Sequence, residues 1–299
     1  MSDQPSPHIL DLPPVQPEGG SKWARFYAGP RTATLATVEF LQVANAVVHP
    51  NGRVAQDDPA VVEDDAAVFA LLAGRAVTIG QFLTGPLAAA YEAKRQAIFC
   101  GASLSPRQTE VMAKLGFLRG YVALNAARRF SEVTTAAFTQ GAPGPYVRKL
   151  ADSVRGRPAG EPMRLAILPR REGEKFCLTN RASLTAWLRA KQVCVIEPET
   201  TRLSELQSLL ARASLVILAD PSQSGLLGLC APGAKILEIA PEGWLGVDGR
   251  VMATLFGLEW SAFLAAPPSY PLQGALPFGS LVPCSYEVPI RDLAKVLET

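Results

Sequence analysis

Three places along this chain bring together side chains that can handle an anion or move a proton. The first is Arg170-Arg171, which follows the apolar run at 164–168. Paired guanidinium groups present planar, permanently charged forks that match phosphate oxygens; the plainer alternative is a solvated charge pair in a loop. The second is Asp220-Pro221-Ser222-Gln223-Ser224-Gly225, which follows the continuous apolar run at 214–219. A small polar loop that leads into a helix can hold an anion or a sugar at the helix N-terminus. The same residue types also make an ordinary capped turn. The third is Glu238, inside the run 235–240, with Glu242 just beyond it. A carboxylate near a strand end can bind ribose or sugar hydroxyls, or it can face solvent through strand alternation.

Other chemistries find no footing. There is no Walker loop, no GxGxxG and no GxSxG, which argues against P-loop enzymes, Rossmann dehydrogenases and serine hydrolases. Gly225-Leu-Leu-Gly228 is too apolar and too short to cradle a phosphate. The two histidines are His8 and His49, and the five cysteines are widely spaced without a CxxC. Neither a metal centre nor a disulfide framework is expected from them, and core thiols in a reducing cytosol fit the pattern. No cofactor is expected beyond a co-substrate.

The elements that must hold these residues read as α/β. In the second half, strands are expected at 164–168, 193–196, 214–219, 235–240 and 259–265. Helices are expected from Asn180, over 203–213, at 224–230 and at 250–256. Strands separated by helix-length segments imply a doubly wound parallel sheet with right-handed crossovers. In such a sheet ligands bind outside the carboxyl ends of the strands, where all three candidate groups fall. The first half alternates less regularly. β-structure is expected over 31–54, a helix over 58–73, and an Ala-rich helix over 77–95 broken at Gly85-Pro86. A short strand at 97–100, a helix opened by Ser105-Pro106 and a strand at 121–124 follow. Glycine and proline gather over 141–162, where the join between domains is expected. The division is therefore a mobile or loosely docked tail over 1–22, an α/β domain over 23–150 and a Rossmann-like domain over 151–299. The tail has four prolines in its first sixteen residues. Residues 267–289 should be an ordered coil, and 290–297 a short amphipathic helix.

Hydrophobic residues make up 48% of the 299, charged residues 19%, and the formal net charge is +2. Core material is ample, and a concentrated basic face for nucleic acid is not expected. No apolar run reaches the roughly 18 residues of a membrane span. The N-terminus lacks the basic and apolar regions of a signal peptide, so a cytoplasmic location is expected.

Over about 108–264 the chain resembles glycosyltransferase family 61, which includes capsular polysaccharide biosynthesis proteins. Arg164-Leu-Ala-Ile-Leu-Pro-Arg170-Arg171 resembles the family's strand ending in paired arginine. Asn180 resembles the opening of its Asn-Glu helix, with Arg181 in place of glutamate. Val195-Ile-Glu-Pro-Glu199 resembles its second strand and exit. Ser204-Glu205, Leu210 and Ala213 resemble its next helix, with Leu206 for glutamine. Ala231-Pro-Gly-Ala-Lys-Ile-Leu-Glu238 is similar to its "PPGA-x-hydrophobic-Glu" strand. Gln108 to Gly116 resembles an upstream helix, and Ile79 to Thr84 the family's Tyr-Tyr-His-Phe-Leu segment, with Gln81 for histidine. Where the family reads His-Gly-Ala-Gly-Leu-Thr-Asn, this chain has Asp220 to Leu226. The resemblance implies two Rossmann-like lobes of GT-B type and an inverting, metal-independent transfer from a nucleotide sugar to a glycan acceptor. Asp220 would then be the catalytic base, with Arg170, Arg171, Ser222, Ser224 and Glu238 on the donor side. It equally allows a pseudo-glycosyltransferase, without catalysis, that scaffolds or regulates a membrane-associated polysaccharide-assembly complex.

Overall fold

A computed structural model describes residues 8–14, 17–20, 31–51, 53–60, 62–71, 77–93, 98–138, 140–169, 176–241, 245–265 and 284–298. Its architecture is mixed α/β, with two separate six-stranded sheets.

The chain opens with β1 (His8–Asp11) and β2 (Pro17–Gly20), then β3 (Thr32–Leu35), β4 (Val38–Val48), β5 (Val54–Ala55) and β6 (Val62–Leu71). The short helices α1 (Ile79–Thr84) and α2 (Pro86–Glu92) follow, then β7 (Ile98–Gly101), α3 (Pro106–Lys114), β8 (Tyr121–Ala123) and β9 (Arg128–Phe138). The first sheet runs β5-β4-β9-β6-β7-β8. β4 pairs antiparallel with β5 and β9, while β9, β6, β7 and β8 are mutually parallel.

Local chemistry explains the helices. Thr78 and Gln81 form a capping box on α1, and Ser105 and Gln108 form one on α3, whose first residue is Pro106. Gly116, at φ +76°, turns the chain after α3 in a conformation that favours glycine.

Residues 62–71 correct an expectation. The acidic start over 58–73 reads as the first turn of a helix, yet the segment is β6. Its last residues alternate between two cores, Phe69 and Leu71 on one side and Val68 and Ala70 on the other. The acidic residues are used locally: Asp64 sits beside Arg128 at 3.4 Å and accepts the Ala66 N–H at 3.0 Å, where the register with β9 shifts. Pairing with β9 and β7 outweighs local propensity.

The join carries α4 (Val147–Val154), whose buried face, Val147, Leu150, Ala151 and Val154, follows helical spacing. Beyond it come β10 (Met163–Ile167), β11 (Phe176–Leu178), α5 (Arg181–Ala190), β12 (Val193–Ile196), α6 (Leu203–Ala211) and β13 (Ala213–Leu218). A 3₁₀ segment (Pro221–Leu229), β14 (Lys235–Pro241), α7 (Asp248–Phe256), β15 (Glu259–Ala265), β16 (Cys284–Tyr286) and α8 (Ile290–Glu298) complete the chain.

The second sheet is parallel throughout, ordered β12-β10-β13-β14-β15-β2. Its central strands β10, β13 and β14 are buried on both faces, as near-continuous apolar runs require. Leu165, Ile167, Val216 and Leu218 face α6, the 3₁₀ segment and α7. Ala166, Leu168, Ile217 and Ile239 face Leu184 and Leu188 of α5 and Leu293 of α8.

Residues 8–11 and 17–20, expected within a mobile or loosely docked tail, are strands. β1 pairs with β3, and β2 lies parallel to β15 at the edge of the second sheet. The reason is nonlocal: β15 offers an unpaired backbone edge that β2 satisfies. Asn180 also departs from its expected helix-capping role. It precedes α5 without a side-chain cap, and its amide holds both backbone groups of Val288, at 2.8 and 3.2 Å.

The halves share one core. Phe69, Ile79, Phe82 and Leu87 belong to the same buried cluster as Leu206, Leu218, Leu226 and Met252. Fully burying side chains of this size is worth about 1.5–3 kcal/mol each.

Candidate functional site

The order of the second sheet locates the site. From β10 the chain moves one way to β12, then crosses to β13 and continues through β14 and β15. The direction reverses between β10 and β13, and at such a switch point ligands bind beyond the carboxyl ends of the strands. β10 exits through Leu168 and Pro169 towards Arg170 and Arg171, which lie outside the described residues, as does Glu242. Arg181, the first residue of α5, stands at this exit. Its guanidinium donates to the Pro169 carbonyl at 2.9 Å and to Glu197 Oε1 at 2.7 Å.

β13 exits into Asp220, 8% exposed, which opens the 3₁₀ segment. Asp220 Oδ1 accepts the Ser222 backbone N–H at 3.0 Å and the Ser222 hydroxyl at 2.6 Å. This is the capping role that Asp favours for backbone reasons. Ser224 is buried at 6% exposure.

The first half closes on this loop through α1. Thr78 Oγ1 donates to the Ser222 carbonyl at 2.8 Å, and Gly80 N–H to Gln223 Oε1 at 3.1 Å. Glu199, beyond β12, accepts from Ile79 N–H at 2.7 Å and from Gln223 Nε2 at 3.1 Å. A carboxylate from one half thus satisfies the first turn of a helix in the other. The reverse arrangement also occurs: Glu110 of α3 accepts from Leu203 N–H, at the start of α6, at 2.7 Å. Glycine permits the close approach of the halves. A Cβ on Gly80 would stand 2.6 Å from Gln223 Cα, and one on Gly225 would collide with the Gly80 carbonyl.

Glu238 does not face solvent. It is 2% exposed, on the α7 side of β14. Its Oε2 accepts from Trp260 Nε1 at 2.9 Å, and the carboxylate presses on Gly249 in the first turn of α7. The Arg250 guanidinium lies 5.5 Å from the Trp260 ring centroid and donates to the Pro13 carbonyl at 3.2 Å. Burial pushes the Glu238 carboxyl up to about 7; the Trp260 hydrogen bond opposes this, Asp248 adds to it and Arg250 opposes it. Asp248 is also raised by burial. A buried carboxyl that titrates near neutrality is a recognised mark of a functional position. The cavity at the β13 and β14 exits, lined in part by Ala219, Pro221 and Tyr286, holds about 10 Å³, one water's worth.

The structure therefore brings Asp220, Ser222 and Ser224 together on one loop, while Glu238 sits beneath α7 and also lines the small cavity beside Pro221. Sequence reasoning assigned no site role to Glu199, Arg181 or Arg250. Glu199 carried one usable signal, an acidic group in the short exit after an apolar strand. Among the described residues no group of three or more His, Cys, Asp or Glu could hold a metal ion, and no helix is long and apolar enough to cross a membrane. Cys100 and Cys230 are buried, and burial pushes both thiols up to about 12. In comparisons with known proteins, no protein-family model and no curated protein matches this chain.

Proposed function

We propose that this chain is a glycosyltransferase with two Rossmann-like lobes of GT-B type. It binds a nucleotide sugar across the carboxyl edge of the second sheet and moves the sugar to a glycan or polysaccharide acceptor. The strand order carries the reading. The switch point between β10 and β13 has the Arg170-Arg171 pair leaving one strand and the Asp220–Gly225 loop leaving the other. Metal-independent, inverting displacement needs positive charge at the departing diphosphate and a base at the acceptor oxygen. Arg170 and Arg171 supply the charge, and Ser222 and Ser224 of the loop serve the donor side. Asp220 serves as base only when its carboxylate is released from Ser222.

One observation favours a second reading, a pseudo-glycosyltransferase that scaffolds or regulates polysaccharide assembly. Asp220 and Ser222 hydrogen-bond each other, while Gln223 and Glu199 are held by α1. These polar groups are engaged inside the protein.

A thermal-shift and calorimetric screen of uridine, guanosine and cytidine diphosphate sugars, followed by a nucleotide-release assay with glycan acceptors, tests both. Binding with release that Asp220→Asn abolishes supports the transferase. Binding without release across the acceptor panel favours the scaffold. No binding to any donor refutes a nucleotide-sugar site here.

A further inference from the structure

One face of the first sheet extends past the helices that cover it. Phe40 and Gln42 of β4 lie on that face, opposite Ala136 and Thr134 of β9. Beside them, the C-terminal end of α2 leaves an open cavity of about 420 Å³, lined by Phe40, Gln42, Thr134, Glu92 and Ala93. Ligand-holding cavities run about 300–1,000 Å³, so this one has room for a small ligand.

Its chemistry is selective. Phe40 is 40% exposed, and its ring meets Phe69 in a T-shaped contact with centroids 6.3 Å apart, which steadies an aromatic platform at the surface. Both Glu92 carboxylate oxygens accept from Lys149 Nζ, at 2.7 and 3.0 Å, so the carboxylate is fixed in place and its charge balanced. None of the described lining residues is cationic. A flat ring beside a fixed carboxylate suits an uncharged polyhydroxylated ligand, whose C–H face lies on the ring while its hydroxyls donate to the carboxylate.

We infer that the groove between β4 and the end of α2 binds a neutral oligosaccharide, with Phe40 as stacking platform and Glu92 as hydrogen-bonding group. α4 stands between this groove and the switch-point loop. Its Lys149 holds Glu92, and Arg155 at its end donates to the Gly228 carbonyl of the 3₁₀ segment at 2.8 Å. The groove is thus a separate holding site for a glycan chain, and only that role rests on the transferase reading.

The test uses the full chain, with saturation-transfer NMR and calorimetry against cellohexaose, maltohexaose, xylohexaose and chitohexaose. UDP-glucose, GDP-mannose and CDP-glucose are titrated in parallel. At least one oligosaccharide should bind. Phe40→Ala should weaken it roughly fivefold or more, as removal of an aromatic platform implies. Glu92→Gln should weaken it to a lesser degree, with donor binding unchanged in both variants. The inference is overturned if no oligosaccharide binds, if both variants bind as wild type does, or if a nucleotide sugar displaces the oligosaccharide. Glycan binding that depends on Phe40 in a protein that binds none of the three donors would keep the groove and refute the transferase.

Discussion

Replacing Glu238 with Gln should stabilise the protein at neutral and alkaline pH, and the gain should disappear in acid. Glu238 is 2% exposed, and its carboxyl titrates at about 7 in the folded chain against an ordinary 4.5. Between these values the unfolded chain has released the proton while the folded chain keeps it. Stability therefore falls as pH rises through this window and levels off above the folded value. At about 1.4 kcal/mol per pH unit, the ionised carboxylate costs the folded state about 3 kcal/mol above pH 8. Gln keeps an oxygen for the Trp260 N–H, which lies 2.9 Å from Glu238 Oε2. It also places an amide N–H₂ near Arg250, so the net gain at pH 8 should be about 1–3 kcal/mol. Urea unfolding of wild type and Glu238→Gln, measured from pH 4 to 8.5, reads the difference directly. A stability difference that stays constant across this range, or one that favours wild type more at pH 8 than at pH 4, refutes the buried-acid reasoning.

Three further outcomes are expected. Asp220→Asn should melt close to wild type, because Asn can still accept the Ser222 N–H, whereas Asp220→Ala should lose about 1 kcal/mol in chemical denaturation; equal losses in both would refute the capping role. Gly225→Ala should force the halves apart where its Cβ meets the Gly80 carbonyl, costing about 1–3 kcal/mol and speeding hydrogen exchange in α1, and a neutral effect on both readouts would refute the close approach. Replacing Arg170 and Arg171 together by Ala should weaken nucleotide-sugar binding in calorimetry by about 1.5–3 kcal/mol for each charge-assisted hydrogen bond removed, and unchanged affinity would exclude them from the site.

The second sheet was legible in the sequence because its signals are local and redundant. Apolar runs of strand length at β10, β12, β13, β14 and β15 alternate with helical stripes, and each run must be covered on both faces. The N-terminus of α3 was equally plain, since a serine cap followed by proline is written within two residues. Asp220 was legible as a strand-exit residue, where both its capping and its catalytic readings arise.

What tertiary structure alone decided has one physical cause: its partners lie far away along the chain. Residues 62–71 carry an acidic helix-like start, yet ladder bonds to β9 and β7 and two-sided burial make them β6. β2 has no strand signal of its own and exists because β15 presents an open edge. Glu238 and Trp260 read as ordinary strand positions, but pairing of β14 with β15 brings them together beneath α7, where burial raises the carboxyl. Glu199 meets the first turn of α1 across 120 residues of chain. Local sequence sets caps and apolar strand cores; only the packed fold selects which strands pair and which carboxylate faces a backbone N–H, an indole or water.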